Sequence, residues 1–171
     1  MKITVLNGSP RVNGHTAALV EHFKKGAEDS GHEVEVLQVG TMKINGCIGC
    51  EYCHNTGNGE CVIKDDMQKV YSALKDTDIV VFASPVYYWG FTGQFQSTLS
   101  RFYAIGKPQK AKKYALLLTS YSPDVYDSIT SQYKDIVAYF RAKDAGIITA
   151  YGEERTPTAK FTEAYNFGKN M

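Results

Sequence analysis

Short apolar runs alternate along this chain with longer stretches in which apolar residues recur every three or four positions. Residues 2–6, KITVL, form a β-rich run that ends at the turn former NGSP. Residues 15–31 place Leu19, Val20 and Phe23 on one helical face and reach a stop at Gly31. A second strand is predicted over 33–39, and a helix over 64–77 with Met67, Val70, Tyr71 and Leu74 at helical spacing. Residues 78–88 hold the unbroken run Ile79, Val80, Val81, Phe82, which suits a sheet centre covered on both faces. The pattern then predicts a helix over 92–105 and a strand over 113–120. A further helix is expected over 125–146, stopped by Gly146, then a strand over 147–152 and a short helix over 156–170. Strand and helix alternate five times. That order calls for an α/β fold, a parallel sheet with helices on both faces. No repeat, low-complexity tract or linker interrupts it, so residues 1–171 are expected to form a single domain.

Composition narrows the function classes. The formal net charge is +1, and the densest positive stretch, KPQKAKK at 107–113, reads as a solvated loop beside a strand. No nucleic-acid footprint is therefore expected. No apolar run approaches the roughly 18 residues of a membrane span. The chain enters a strand pattern at once, without a basic and apolar leader, which favours the cytoplasm. In that reducing compartment, clustered cysteines are more often ligands or catalytic thiols than disulfides.

Three loops that follow strands carry the candidate chemistry. The first, NGSPRVNGHT at 7–16, has glycines for tight backbone paths, and Ser9, Asn13 and Thr16 just before a helix start. Free N–H groups there favour a phosphate, and Arg11 adds charge. The plainer reading is an ordinary turn in which Thr16 or Asn13 caps the helix. Neither the GxGxxG nor the P-loop fingerprint occurs. The second loop, SPVYYWG at 84–90, sets Tyr87, Tyr88 and Trp89 in a row. Adjacent side chains diverge, so one face cannot bury all three, and some must line a cleft or an interface. A flat aromatic cofactor suits such walls; a core or subunit contact is the alternative. The third loop, TSYSPD at 119–124, adds Thr119, Ser120 and Tyr121.

All four cysteines lie between 47 and 61. Cys47, Cys50 and Cys53 are separated by two residues each, and Cys61 follows after seven. Such spacing lets one loop present several thiolates to a cluster, but the bacterial ferredoxin run ends with a shorter gap and a proline. Zinc sites draw ligands from two separated knuckles. Cluster, zinc and a metal-free loop all remain open readings. His54 beside Cys53 reads as an exposed loop histidine, and Asp65 and Asp66 as caps of the following helix. No GxSxG elbow or hydrolytic triad is present.

GSPRVNGHT after the first strand, SPVYYWG after the third and CIGCEYCHNTGNGECVIKDDM between them together resemble the flavodoxin-like NAD(P)H-dependent FMN reductases, and most nearly their iron-sulfur flavoprotein branch. The resemblance covers nearly the whole chain. It implies a flavodoxin-like three-layer sandwich with a five-stranded parallel sheet in the order 2-1-3-4-5. It implies FMN phosphate at Ser9, Arg11, Asn13, Gly14, His15 and Thr16. The isoalloxazine would pack on Pro85, Val86, Tyr87, Tyr88 and Trp89, with Gly90 nearby, and Ser120 and Tyr121 would close over its edge. Cys47, Cys50, Cys53 and Cys61 would hold a [4Fe-4S] cluster. Relatives commonly carry an acidic residue before the arginine of the third helix, whereas Ser100 precedes Arg101 here, which weakens a subunit-contact role for this pair. The implied function is electron transfer from NAD(P)H through FMN to a quinone, a free flavin or another small acceptor, in a homodimer or homotetramer. The alternatives are an iron-sulfur flavoprotein serving a redox protein partner and a flavin-binding regulatory module without turnover.

Overall fold

A computed structural model describes residues 1–152 and 158–171. The strands are β1 (Lys2–Asn7), β2 (Glu33–Leu37), β3 (Ile79–Pro85), β4 (Lys113–Ser120) and β5 (Lys143–Tyr151). They form one all-parallel sheet in the order β2-β1-β3-β4-β5. The helices are α1 (His15–Asp29), the single turn α2 (Tyr52–Asn55), α3 (Met67–Lys75), α4 (Gly93–Ser100), α5 (Asp127–Tyr139) and α6 (Thr158–Lys169); a 3-10 turn at Arg101–Ala104 extends α4.

Strict alternation in the central strands builds two cores, because successive side chains leave opposite faces of a sheet. Val80 and Phe82 of β3, with Tyr114, Leu116 and Leu118 of β4, meet Met67, Val70 and Leu74 of α3, Phe95 of α4, and Ile129, Tyr133 and Val137 of α5. Ile79, Val81 and Ala83, with Ala115 and Leu117, meet Leu19, Val20 and Phe23 of α1 and Ala164 of α6. Phe82 is the hub of the first core, with ring contacts to Phe91, Phe95, Phe102, Tyr114 and Tyr133. On the other face α1 and α6 touch backbone to backbone. A Cβ on Gly26 would collide with the Tyr165 carbonyl, and one on Gly168 with that of Phe23.

Several predicted boundaries move. The helix expected to run to Gly146 ends at Tyr139, and β5 already begins at Lys143. Its stop is Arg141, at φ 53°. The Arg141 N–H donates to the Ala138 carbonyl and that of Ala142 to the Val137 carbonyl, which closes a Schellman motif. Gly146 lies instead inside β5, where the pairing with β4 shifts register. The strand expected through Tyr88 stops at Pro85, and the helix expected through 105 tightens into the 3-10 turn after Ser100. That tighter turn buries the consecutive residues Arg101 and Phe102 together. The first two residues of the closing helix predicted over 156–170 lie outside the described residues.

Strand order reverses between β1 and β3, so the loops after these strands border the crevice in which parallel sheets hold ligands.

Candidate functional site at the carboxyl edge of the sheet

The loop after β1 is built on its own polar groups. Gly8 N–H donates to the Ala83 carbonyl at 2.8 Å, tying the loop to β3. The Asn7 carboxamide accepts from Ser9 N–H at 3.0 Å, while the Ser9 hydroxyl donates to the Arg11 carbonyl at 3.1 Å and accepts from Arg11 N–H at 3.2 Å. Gly14 takes the N-cap position of α1, and the N-cap residue thus brings no side-chain bond to the helix start. Neither Asn13 nor Thr16 plays that part. Thr16 is buried and shares a 2.7 Å hydrogen bond with Thr119, joining the first loop to the third. The start of a 15-residue helix therefore keeps its positive end and its amide donors for an anion, with exposed Arg11 in the same loop.

The loop after β3 departs from ordinary backbone. Val86 N–H donates to the Thr119 carbonyl at 2.7 Å, and Tyr87 and Gly90 exchange backbone hydrogen bonds at 3.0 and 3.1 Å. Between them Tyr88 and Trp89 both adopt positive φ, 52° and 63°. This two-residue turn is the primed kind, which Asn and Gly normally fill. Holding two aromatic residues there costs about 1–2 kcal/mol each. Tyr88 is 95% exposed and meets Trp89 edge to face.

Ser9, Arg11, His15, Thr16, Pro85, Val86, Tyr87, Thr119, Ser120 and Tyr121 line one cleft of about 200 Å³. The structure thus brings ten residues of three loops together. Asn13 and Gly14 belong to the same first loop without forming the cleft wall, and Tyr88, Trp89 and Gly90 sit on the hairpin that continues from Tyr87. Thr119 is a wall residue that residue type alone marks only as a polar neighbour; its bond to Thr16 appears once the loops meet. The Ser120 hydroxyl is held by the Ser122 carbonyl and the Tyr126 hydroxyl.

The cysteine loop docks elsewhere, on the segment that ends α4. Cys47, Cys50, Cys53 and Cys61 all line one small pocket, together with Arg101, Tyr103 and Ala104. Cys53 and Cys61 are buried, Cys47 and Cys50 exposed, and all four are free thiols. Burial pushes the Cys53 thiol up, its own backbone partly offsets this, and repulsion from Cys61, Cys47 and Cys50 adds to the rise. Among the described residues no three His, Cys, Asp or Glu side chains are arranged to hold a metal ion.

Segment 100–104 provides the clamps. The Ser100 hydroxyl accepts from Cys47 N–H at 3.0 Å, and the Tyr103 hydroxyl donates to the Glu51 carboxylate at 2.9 Å. His54, expected to be merely exposed, has its Nε2 2.9 Å from the Tyr103 carbonyl and its ring edge-on to the Tyr103 ring. Tyr71 donates to the Arg101 carbonyl at 2.7 Å. Burial pushes the Tyr71 phenol up to about 12.

Arg101 is itself buried and pairs with Asp65 at 2.9 Å. Its Nη1 also donates to the Asn45 carbonyl at 2.9 Å, and its Nη2 to the Ile63 carbonyl at 3.0 Å. Asp65 accepts from Asn45 N–H at 2.9 Å and Met67 N–H at 3.1 Å. This pair therefore ties together both ends of the cysteine loop. Burial pushes the Asp65 carboxyl up, but the bonds from Asn45, Arg101 and Met67 outweigh it and leave it below its ordinary value. Asp65 thus does more than serve the start of α3. Asp66, at the N-cap position, makes no cap bond and instead holds Lys43 N–H and the Lys69 ammonium.

The chain is similar to known proteins over much of its length. An iron-sulfur flavoprotein of Archaeoglobus fulgidus is 36% identical over 123 residues, 71% of this chain and 55% of that protein. One from Methanocaldococcus jannaschii is 38% identical over 105 residues, 61% of this chain and 52% of that protein. The chain spans about half the length of these curated relatives. Among solved structures, the NAD(P)H:quinone oxidoreductase from Methanothermobacter marburgensis superposes with a TM-score of 0.80 at 16% identity, over 99% of this chain and 95% of that one. An azoreductase from Bacillus anthracis gives a TM-score of 0.75 at 15% identity over the full length of both. These likenesses place the fold among the flavodoxin-like reductases. The family model for NADPH-dependent FMN reductase matches residues 1–153, and the chain belongs to that family.

Proposed function

We propose that this chain is an FMN-dependent oxidoreductase that draws electrons from NAD(P)H and delivers them to a small acceptor such as a quinone or a free flavin. The observation that carries this reading is the three-loop cleft, with the uncapped start of α1 at one end and the aromatic hairpin leading away from the other. The amides that open α1 and Arg11 suit a phosphate monoester, and the Ser9 hydroxyl would join them on exchanging its bond to the Arg11 carbonyl for one to the ligand. Pro85, Val86 and Tyr87 offer an apolar wall for a planar ring, and Ser120 and Tyr121 offer polar groups for its edge. Bound FMN would supply the hydride chemistry; the chain would bind it, orient it and leave one ring face open for donor and acceptor. Titration of the purified chain with FMN should saturate near one per chain. NAD(P)H should then be consumed steadily when a quinone is present. A chain that binds no flavin would end this reading.

A second reading makes the chain an electron-transfer iron-sulfur flavoprotein. It is supported by the single pocket that all four cysteines line. Four cysteines of one loop lining one pocket suit a cubane group, which takes four thiolates, better than a structural zinc, whose ligands generally come from two separated knuckles. Cys47, Cys50, Cys53 and Cys61 would hold that cluster, and the Gly49 N–H donates to the Cys47 sulfur at 3.4 Å. Anaerobic reconstitution should yield about four irons per chain, with zinc measured on the same sample.

The proposal extends to a cytoplasmic homo-oligomer. A cleft of about 870 Å³ between the end of α4 and α5, lined partly by Leu99, Phe102, Ile136, Tyr139 and Phe140, presents apolar surface to a second copy. Sedimentation of the FMN-loaded protein as a monomer would remove this part. Among the described residues, no helix is long and apolar enough to cross a membrane.

A further inference from the structure

Arg101 is 1% exposed and lines the same small pocket as the four cysteines. The protein satisfies only part of its guanidinium. Nη1 donates to the Asn45 carbonyl and to Asp65, and Nη2 to the Ile63 carbonyl. Nε finds no acceptor among the described residues. A buried charged donor left without a partner is costly, and native structures rarely keep one unless something else uses it. The fork geometry of Arg explains how this arises: one edge is committed to closing the loop while the Nε–H remains.

Resting on the cluster reading above, we propose that Arg101 is a positioning residue for a [4Fe-4S] group held by the four cysteines. Its Nε–H donates to sulfur in that pocket, and its charge favours the reduced cluster. Four thiolates around such a cluster leave the site negatively charged, and more so after it gains an electron. A fixed, buried cation therefore stabilises the reduced form more than the oxidised one. The electrostatics of the pocket agree: burial works against the Arg101 charge, while Asp65, Tyr71 and Cys61 favour it. Asp65 has a double part. It holds Arg101 in place and also cancels some of its field at the cluster.

That opposition supplies the test. The full-length protein and its Arg101→Gln, Arg101→Lys and Asp65→Asn variants are reconstituted anaerobically with iron and sulfide. Iron per chain, bound FMN and the cluster potential are measured, the last by redox titration followed by electron paramagnetic resonance. Arg101→Gln should shift the reduction equilibrium about tenfold toward the oxidised cluster, which is about 59 mV for a one-electron couple. Arg101→Lys, which keeps the charge but loses the Nε donor, should shift it the same way by less. Asp65→Asn, which removes a negative charge, should shift it the opposite way. A purely structural arginine predicts no shift in any variant that still binds iron, or shifts of one sign in all three; either result overturns the proposal. Should Arg101→Gln fail to retain FMN, the opposite signs of Arg101→Lys and Asp65→Asn carry the test. Wild-type protein that takes up no iron would remove the cluster reading and this proposal together. Bound iron with unmoved potentials would remove this proposal alone.

Discussion

Asp65 and Arg101 show how much of the cysteine loop hangs on two side chains, whose exposures are 8% and 0%. Removing one partner of a buried pair leaves the other charge uncompensated, at a cost of about 3 kcal/mol. Asp65→Asn should therefore lower the melting temperature by roughly 6–12 °C at neutral pH, as calorimetry would show. The pH dependence follows from the direction of the Asp65 shift. Its folded-state carboxyl lies below its ordinary value, so its stabilisation is complete above that value and is lost as pH falls through the folded one. The gap between wild type and Asp65→Asn should thus narrow below about pH 4; a constant gap down to acid unfolding would contradict the assignment. At the first loop, Ser9→Ala should weaken FMN several-fold more than riboflavin, since only FMN carries the phosphate. Equal loss of both in a binding titration would make Ser9 a support of the loop fold instead.

At the scale of elements, two turns set the same stereochemical problem and answer it differently. Arg141 takes positive φ to end α5, and Tyr88 and Trp89 take it to turn the hairpin after β3. Glycine would adopt either conformation without strain. Arg141→Gly should raise stability by about 1 kcal/mol in denaturant unfolding and leave flavin affinity unchanged, since that turn lies beyond the cleft wall. Trp89→Gly should also gain about 1 kcal/mol, yet reduce NAD(P)H turnover if the hairpin aromatics flank the flavin. A Trp89→Gly variant with full turnover would show that the strain serves something other than the flavin. Sequence periodicity misplaces the end of α5 for this reason. It expects a glycine stop and finds one at Gly146, whereas the actual stop is an arginine whose αL conformation nothing in its residue type announces.

For the whole molecule, the flavin proposal makes a linkage prediction. A ligand that binds only the folded chain stabilises it by mass action, by about 2.7 kcal/mol at one hundred times its dissociation constant. FMN at that excess should raise the melting temperature by roughly 5–10 °C, and riboflavin at the same concentration by less. The cleft is assembled from loops after β1, β3 and β4, so the gain should appear in one cooperative transition rather than in a separate local one.

The order of strands and helices, the burial of both sheet faces and the three polar or aromatic loops follow from local sequence. Alternation of period two and recurrence of period 3.6 are properties of neighbouring residues, and a β-α-β succession leaves few ways to cover a sheet. The cysteine spacing likewise marks residues 47–61 as one unit before any folding. What the tertiary structure alone decided are relations between residues far apart in the chain. Thr16 meets Thr119 across 103 positions, and Arg101 reaches Asp65 across 36. Arg101 and Asp65 read locally as an arginine within the third helix and a cap of the second, because residue type carries no record of a distant partner. Only when the loop folded back onto the end of α4 did a buried charge pair, and a guanidinium N–H without an acceptor among the described residues, come to stand beside the four sulfurs.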